Sequence, residues 1–255
     1  MSPPGKLRIV GVGPGGKAWI TPEALDFIAN ATDLVGYAPY LERLPCKEGQ
    51  TRHQSGNGAE LERARDALHL AEAGRHVTVI SGGDPGVFAM AAAVFEAIEM
   101  GESRWRDIDV VVSPGVSAMQ AAAARAGAPL GHDFCAISLS YNLKPWALVE
   151  KRLAAAANAD FVIALYNPAS AARQGRIYDA FALLRSLKPL STPVICARAV
   201  GREDERITVE TLATADPARA DMSTLIIVGS SETRIIPRSV AAPYVYTPRG
   251  AAADR

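Results

Sequence analysis

The chain has 255 residues, 49% of them hydrophobic and 21% charged, with 27 basic side chains against 27 acidic ones. That length supports a large core, and the zero net charge excludes a global field steering the molecule toward nucleic acid or an anionic membrane. Cys46, Cys135 and Cys196 lie far apart, and with the four histidines they form no CxxC or HExxH spacing. Free thiols in a reducing compartment, and no metal of the protein's own, are therefore expected.

The N-terminus, MSPPGK, is not followed by a long apolar stretch, and the alanine-rich AMQAAAARAGA is interrupted by Arg125. Neither has the length or hydropathy of a signal peptide or a membrane span, so a cytoplasmic location is expected. Along the chain one unit recurs: a β-branched apolar run, a Gly/Pro loop, a helical stretch. LRIVGV leads through GPGGKAWIT to PEALDFIANA, where Thr21-Pro22 reads as N-cap and first helical residue. HVTVI leads through SGGDPG to VFAMAAAVFEAIEMG, with Asp84-Pro85 as the matching cap and proline. DIDVVV leads through SPGVS to AMQAAAARAG, which Gly127 and Pro129 bring to a stop.

FCAISLS then opens a second half. DFVIALY leads through NPASAARQG to RIYDAFALLRSL, and TPVICARAV and TLIIVG supply further strands. Strands that are apolar throughout, alternating with helices, predict an α/β fold: two α/β domains with largely parallel sheets covered on both faces. The domains are expected at 1–127 and 128–245, with 246–255 as a tail.

Gly11, Gly13 and Gly16 satisfy the dinucleotide-binding spacing G-x-G-x-x-G. Yet Pro14 has no N–H, the helix starts only after Thr21, and Asp33 precedes a strand rather than following one. Lys17 is not followed by Ser or Thr, so a Walker loop fails as well. What remains is a tight bend that lets a ligand approach the backbone. SGGDPGVF and SPGVSAM repeat the arrangement at the carboxyl ends of two more strands, and three such loops point to one shared pocket. None has the Lys/Arg density that a triphosphate demands. A ligand with a sugar, a heterocycle and a zwitterionic tail, such as S-adenosylmethionine, suits them better.

These stretches, VGVGPGG with Thr21 after it, SGGDPGVF, PGVSAMQAAAARAG and TLIIVG, resemble the tetrapyrrole (corrin/sirohaem) methylase family from about residue 7 to about residue 236. VGYAPYL, RHQSGNGAELERARDALHLA and ALYNPASAARQGR look like the branch that methylates carbon 17 of the macrocycle and contracts the ring in cobalamin synthesis. The resemblance implies two α/β domains with S-adenosylmethionine held between them by backbone atoms, a homodimer, a tetrapyrrole substrate, and neither nucleic acid nor membrane as partner. Carried over residue by residue, it implies cofactor contacts at Pro14, Gly82, Gly83, Asp84, Val87, Ser117 and Ala118. In the second domain it implies Asn167 (where several relatives carry Met), Ala199, Val200 and Thr224.

Ring contraction also needs a base for a tertiary alcohol and an acid for a lactone. His53, Ser55, Glu60 and Tyr40 carry suitable groups, with His53 expected in a loop that closes over the substrate. The many carboxylates of the substrate need cations, for which Arg52, Lys144, Arg173, Arg176 and Arg198 are the candidates. Rival readings are another branch of the family, a nucleotide-binding module without catalysis, and a nicotinamide-dependent oxidoreductase. Pro14 already weakens the last of these.

Overall fold

The computed structural model describes residues 5–45, 47–169 and 175–250, which fall into two compact units dividing between Ala118 and Met119. That division lies one helix before the seam expected at residue 127.

The first unit runs β1 (Lys6–Gly11), α1 (Pro22–Asn30), β2 (Asp33–Tyr37), α2 (Ala38–Leu41), β3 (Thr51–Ser55), α3 (Glu60–Glu72), β4 (His76–Ser81), α4 (Met90–Met100) and β5 (Asp109–Ser113). Its sheet has the order β3-β2-β4-β1-β5, and every neighbouring pair is parallel. Leu7, Ile9, Val77 and Val79 pack on one face against Ala64, Ala67 and Leu68 of α3 and Val94 of α4. On the other face Val10, Leu34 and Ile80 pack against Ala24 and Ile28 of α1. Burial on both faces is why these strands read as unbroken apolar runs.

Thr21 caps α1 as expected, its Oγ1 accepting from the Ala24 N–H at 3.2 Å, with Pro22 at the first helical position. Two local expectations are corrected. Asp84-Pro85 does not cap α4, which begins at Met90 behind Phe88, a residue held at φ 53°. His53 is not in a loop: TRHQS forms β3, hydrogen-bonded to β2 at the sheet edge.

The second unit begins within α5 (Ala118–Ala126) and continues with β6 (Gly127–Ala128), β7 (Phe134–Ser138), α6 (Trp146–Asn158), β8 (Val162–Tyr166), α7 (Arg176–Leu187), β9 (Pro193–Arg198), β10 (Arg206–Thr211), β11 (Thr224–Val228), β12 (Arg234–Ile236) and β13 (Tyr244–Tyr246). The large sheet has the order β10-β9-β11-β8-β7. Only β7 and β8 pair in parallel; β11 runs antiparallel to both β8 and β9, and β10 antiparallel to β9. The largely parallel expectation therefore fails for this sheet. One cause lies in a connection: residues 199–205 are too short for a helical crossover, so β10 has to return antiparallel to β9. β11, which runs parallel to β10, is antiparallel to its neighbours because it lies between β8 and β9 and opposes both.

A small sheet, β12-β13-β6, closes the unit. Tyr246 and Thr247, assigned to the tail by sequence, belong to it or bind it: Thr247 Oγ1 donates to the Pro129 carbonyl at 2.6 Å and meets Thr233 Oγ1 at 2.9 Å.

Asp33, the first residue of β2, is 1% exposed and anchors the amino-terminal edge of the first sheet. Its carboxylate meets Arg75 Nε at 2.7 Å, Thr32 Oγ1 at 2.7 Å and His53 Nε2 at 2.9 Å. Burial pushes its pKa up, but the bonds from Arg75, Thr32 and His53 together outweigh burial and hold it below the ordinary carboxylate value. A depressed folded-state value means that the stabilisation is complete above the unfolded pKa of about 3.9 and is lost as pH falls through the folded value. Asp33→Asn should therefore cost about 2 kcal/mol at pH 7, and urea midpoints measured from pH 7 to 3 should show the gap to the native chain narrowing.

Candidate active site

Because β1 lies between β4 and β5 and all three run parallel, the loops leaving their carboxyl ends emerge side by side. Gly13 and Gly83 form a two-residue antiparallel bridge, with N–H···O distances of 3.2 and 3.1 Å. Both need the left-handed conformation, at φ 65° and 64°. Gly11 closes the arrangement: a Cβ there would sit 2.6 Å from the Gly83 carbonyl oxygen and 2.7 Å from Gly115 Cα. Three main chains thus touch where no side chain fits between them.

Asp84 fastens the group. Its Oδ1 accepts from the Gly86 N–H at 2.8 Å and its Oδ2 from the Gly115 N–H at 3.0 Å, joining the second loop to the third. The carboxylate that sequence reads as a helix cap is thus a latch between loops. Ser117, 4% exposed, and half-buried Ala118 lie beside Gly83. Pro14 offers its carbonyl to Arg43 Nη1 at 3.5 Å, and Val87 is half-buried within the second loop. The sequence-predicted cofactor residues of the first unit are therefore together.

Of the four candidates for proton handling, Tyr40 lies closest to these loops. A Cβ on Gly82 would fall 2.5 Å from the Tyr40 Cζ and 2.6 Å from its hydroxyl, so the absence of a side chain there makes room for the phenol. Tyr37 packs edge-on to it at 5.3 Å, and the Arg43 guanidinium lies over its ring at 5.1 Å. Ser55 ends β3 at the same carboxyl edge and accepts from Arg63 Nε at 2.7 Å. Glu60 is exposed in the first turn of α3. His53 is held by Asp33 toward the other end of the sheet, away from the glycine loops.

In the second unit, Asn167 follows β8, Ala199 follows β9 and Thr224 begins β11. The antiparallel course of β11 is what brings Thr224 to the edge where β8 and β9 end. Ala199 donates to the Ser223 carbonyl at 2.9 Å, while Asn167 and Ala199 both hold positive φ, at 52° and 51°. Asn167 Nδ2 donates to Ser138 Oγ at 3.0 Å, and the Thr224 hydroxyl donates to Asp221 Oδ1 at 2.7 Å. Val200 is buried. The polar side chains of Asn167 and Thr224 are thus engaged within the fold.

The expected substrate cations fare less well. Arg52 donates to the carbonyls of Leu41, Leu44 and Pro45 at 2.8, 3.0 and 2.7 Å, fixing the turn after α2. Arg198 is paired with Asp221 at 2.7 Å and Asp204 at 2.5 Å. Both are engaged within the fold. Arg173 lies outside the described residues. Arg176 stacks over Tyr141 and Trp146, 5.6 and 5.1 Å from the ring centres, and pairs with Asp179. Lys144, half-buried two residues before Trp146, has its pKa lowered by burial and then by Arg152.

Cys135 and Cys196 are free, and Cys46 lies outside the described residues. Among the described residues His69, Glu72 and Glu102 are close enough to hold a cation, but the Arg104 guanidinium already pairs with both carboxylates. No helix of the described residues is long and apolar enough to cross a membrane. Arg63 is buried on the stripe of α3 formed by Ala64, Ala67, Leu68 and Ala71, a charge whose burial the sequence did not announce.

Residues 6–216 match the family described as Tetrapyrrole (Corrin/Porphyrin) Methylases. A precorrin-3B C(17)-methyltransferase of Sinorhizobium sp is 56% identical over 245 residues, covering 96% of each chain. A probable cobalt-factor III C(17)-methyltransferase of Salmonella typhimurium is 40% identical, over 94% of this chain and 99% of that one. The crystal structure of the methyltransferase CobJ superposes with a TM-score of 0.91 at 47% identity, over 96% of this chain and all of that one. A uroporphyrin-III C-methyltransferase of Thermus thermophilus, solved with S-adenosylhomocysteine, shares the fold at a TM-score of 0.65 and 21% identity, over 88% of this chain and 92% of that one. With matches of this extent over the same glycine loops, the chain belongs to the tetrapyrrole methylase family.

Proposed function

We propose that the chain transfers a methyl group from S-adenosylmethionine to carbon 17 of precorrin-3B and contracts the macrocycle, giving precorrin-4 in cobalamin biosynthesis. The observation that carries this reading is the convergence of Gly11, Gly13, Gly83 and Gly115 main chains, in a sequence 56% identical to a precorrin-3B C(17)-methyltransferase. The donor supplies a methyl on a positively charged sulfur. A cradle of main-chain carbonyls, with the Asp84 carboxylate behind it and no lysine in the second or third loop, fits the positive sulfur of such a group.

Transfer from a sulfonium releases a neutral group and needs little acid help, so alignment is the main contribution of the protein. The latched loops supply that alignment through Pro14, Gly82, Gly83, Asp84, Val87, Ser117 and Ala118. Asn167, Ala199, Val200 and Thr224 are the contacts proposed on the second unit. For the ring contraction, Tyr40 is the group proposed to hand a proton to or from the macrocycle, because its hydroxyl lies against Gly82. The same reading carries a cytoplasmic homodimer whose partner is the tetrapyrrole, with neither nucleic acid nor membrane.

Incubation with labelled S-adenosylmethionine and precorrin-3B should add one methyl by mass and change the absorption spectrum to that of a contracted ring. Turnover of uroporphyrinogen III instead would reassign the branch, and turnover of cobalt-factor III in preference to the metal-free substrate would reassign the substrate. Gly11→Ala should weaken S-adenosylhomocysteine by about tenfold or more in calorimetry and cost about 1–3 kcal/mol of stability through overpacking. Unchanged affinity would show that the loops are not the donor site. Asp84→Ala should raise KM for the donor about tenfold with a smaller change in kcat, the pattern of lost binding rather than lost chemistry.

A further inference from the structure

One buried side chain carries a charge that the donor site does not use. Arg63 lies on the buried face of α3 and is 4% exposed. Its Nε donates to Ser55 Oγ at 2.7 Å, its Nη2 to the Gly56 carbonyl at 2.7 Å, and its Nη1 to Met90 Sδ at 3.2 Å. All three acceptors are neutral, and the thioether is a weak one. Among the described residues no carboxylate lies within ion-pair distance of it; Glu60, one turn earlier, acts only at longer range. Burial lowers the pKa of the guanidinium, opposed by Glu60 and by Tyr40 and Tyr37, yet an arginine stays charged. Arg75 and Arg198 are paired with carboxylates, those of Asp33 and Asp221, and Arg52 and Arg185, which bond to carbonyls, are less buried than Arg63. A buried cation lacking an anion costs several kcal/mol, and a fold does not need one to join Ser55 to Gly56.

The position is as informative as the charge. Ser55 ends β3 at the carboxyl edge, Met90 is the first residue of α4 after the second glycine loop, and Tyr37 and Tyr40 stand nearby. Arg63 therefore lies behind the loop cluster. What covers it on the solvent side is thin: residues 56–58 are exposed, and a Cβ on Gly56 or Gly58 would meet nothing within 4 Å.

We propose that Arg63 is a specificity-determining residue that pairs with a carboxylate side chain of the macrocyclic substrate, the anion taking the place now held by Met90 Sδ. This rests on the tetrapyrrole reading above. A carboxylate accepts two parallel N–H bonds from a guanidinium, a geometry that neither a thioether nor a single carbonyl supplies. In a chain of zero net charge, recognition of a polyanionic substrate has to come from such local, uncompensated cations.

The test uses uroporphyrin, an octacarboxylate, titrated by fluorescence against the full chain, with S-adenosylhomocysteine affinity measured in parallel. Arg63→Met should weaken uroporphyrin by about tenfold, and Arg63→Lys by about threefold, with S-adenosylhomocysteine changed by less than about twofold in each. Uroporphyrin affinity unchanged in Arg63→Met while S-adenosylhomocysteine still binds would overturn the assignment and leave the methyltransferase reading intact. Absence of uroporphyrin binding by the native chain would overturn the assignment of Arg63 and leave the methyltransferase reading to the precorrin-3B turnover assay. Retention of S-adenosylhomocysteine affinity and of the native circular dichroism spectrum identifies a folded variant, and unchanged uroporphyrin affinity in a folded Arg63→Lys or Arg63→Met chain would sink the proposal.

Discussion

The first unit is organised around the contact of three main chains at Gly11, Gly83 and Gly115. With β1 central between β4 and β5, the parallel order brings the three carboxyl ends to one place, and the missing Cβ atoms let them close to van der Waals distance. Protein cores tolerate added volume poorly because they are already close-packed, and here the neighbour is backbone, which cannot rotate aside. The bridge between Gly13 and Gly83 and the Asp84 latch onto Gly115 follow from that closeness. Each would be out of reach if one strand were displaced by a residue.

Much of this was legible before any coordinates. Apolar strands followed by glycine loops marked β1, β4 and β5, and Thr21-Pro22 marked the start of α1, because these signals are local and steric. What could not be read was anything set by distant pairing. Asp84 before Pro85 looks like a cap, since the Gly115 N–H that claims its carboxylate is thirty-one residues away. TRHQS carries no apolar alternation; it becomes a strand because β2 offers an open edge and Asp33 holds His53. Strand direction in the second unit was hidden for a related reason: a strand buried on both faces looks the same whichever way its neighbours run. The length of a connection discriminates for β10 alone, through residues 199–205, while the direction of β11 follows from its insertion between β8 and β9.

Charge distribution separates structure from function in the same way. Arg8, Arg75, Arg198 and Lys188 each find a carboxylate, with distances between 2.6 and 2.9 Å for Asp109, Asp33, Asp221 and Asp160 respectively. Arg52 instead gathers the carbonyls at the end of α2. Cations engaged in this way stiffen the scaffold. A basic residue in or near a loop is therefore as readily a structural tie as a ligand contact.

Gly82 ties these observations together. Its neighbours in sequence belong to the loop cluster, while the space its absent side chain leaves is filled by the Tyr40 phenol. The same position therefore shapes the main chain on one side and seats an ionisable hydroxyl on the other. Tyr40 in turn lies under Arg43, whose Nη1 reaches the carbonyl of Gly15 in the first loop at 3.3 Å, and stands near Arg63 behind the second. A displacement of any of the three loops is transmitted to the phenol through packed atoms rather than through solvent. The main chain of the glycine loops and the phenol of Tyr40 are thus mechanically coupled, so a change of geometry at one is felt at the other.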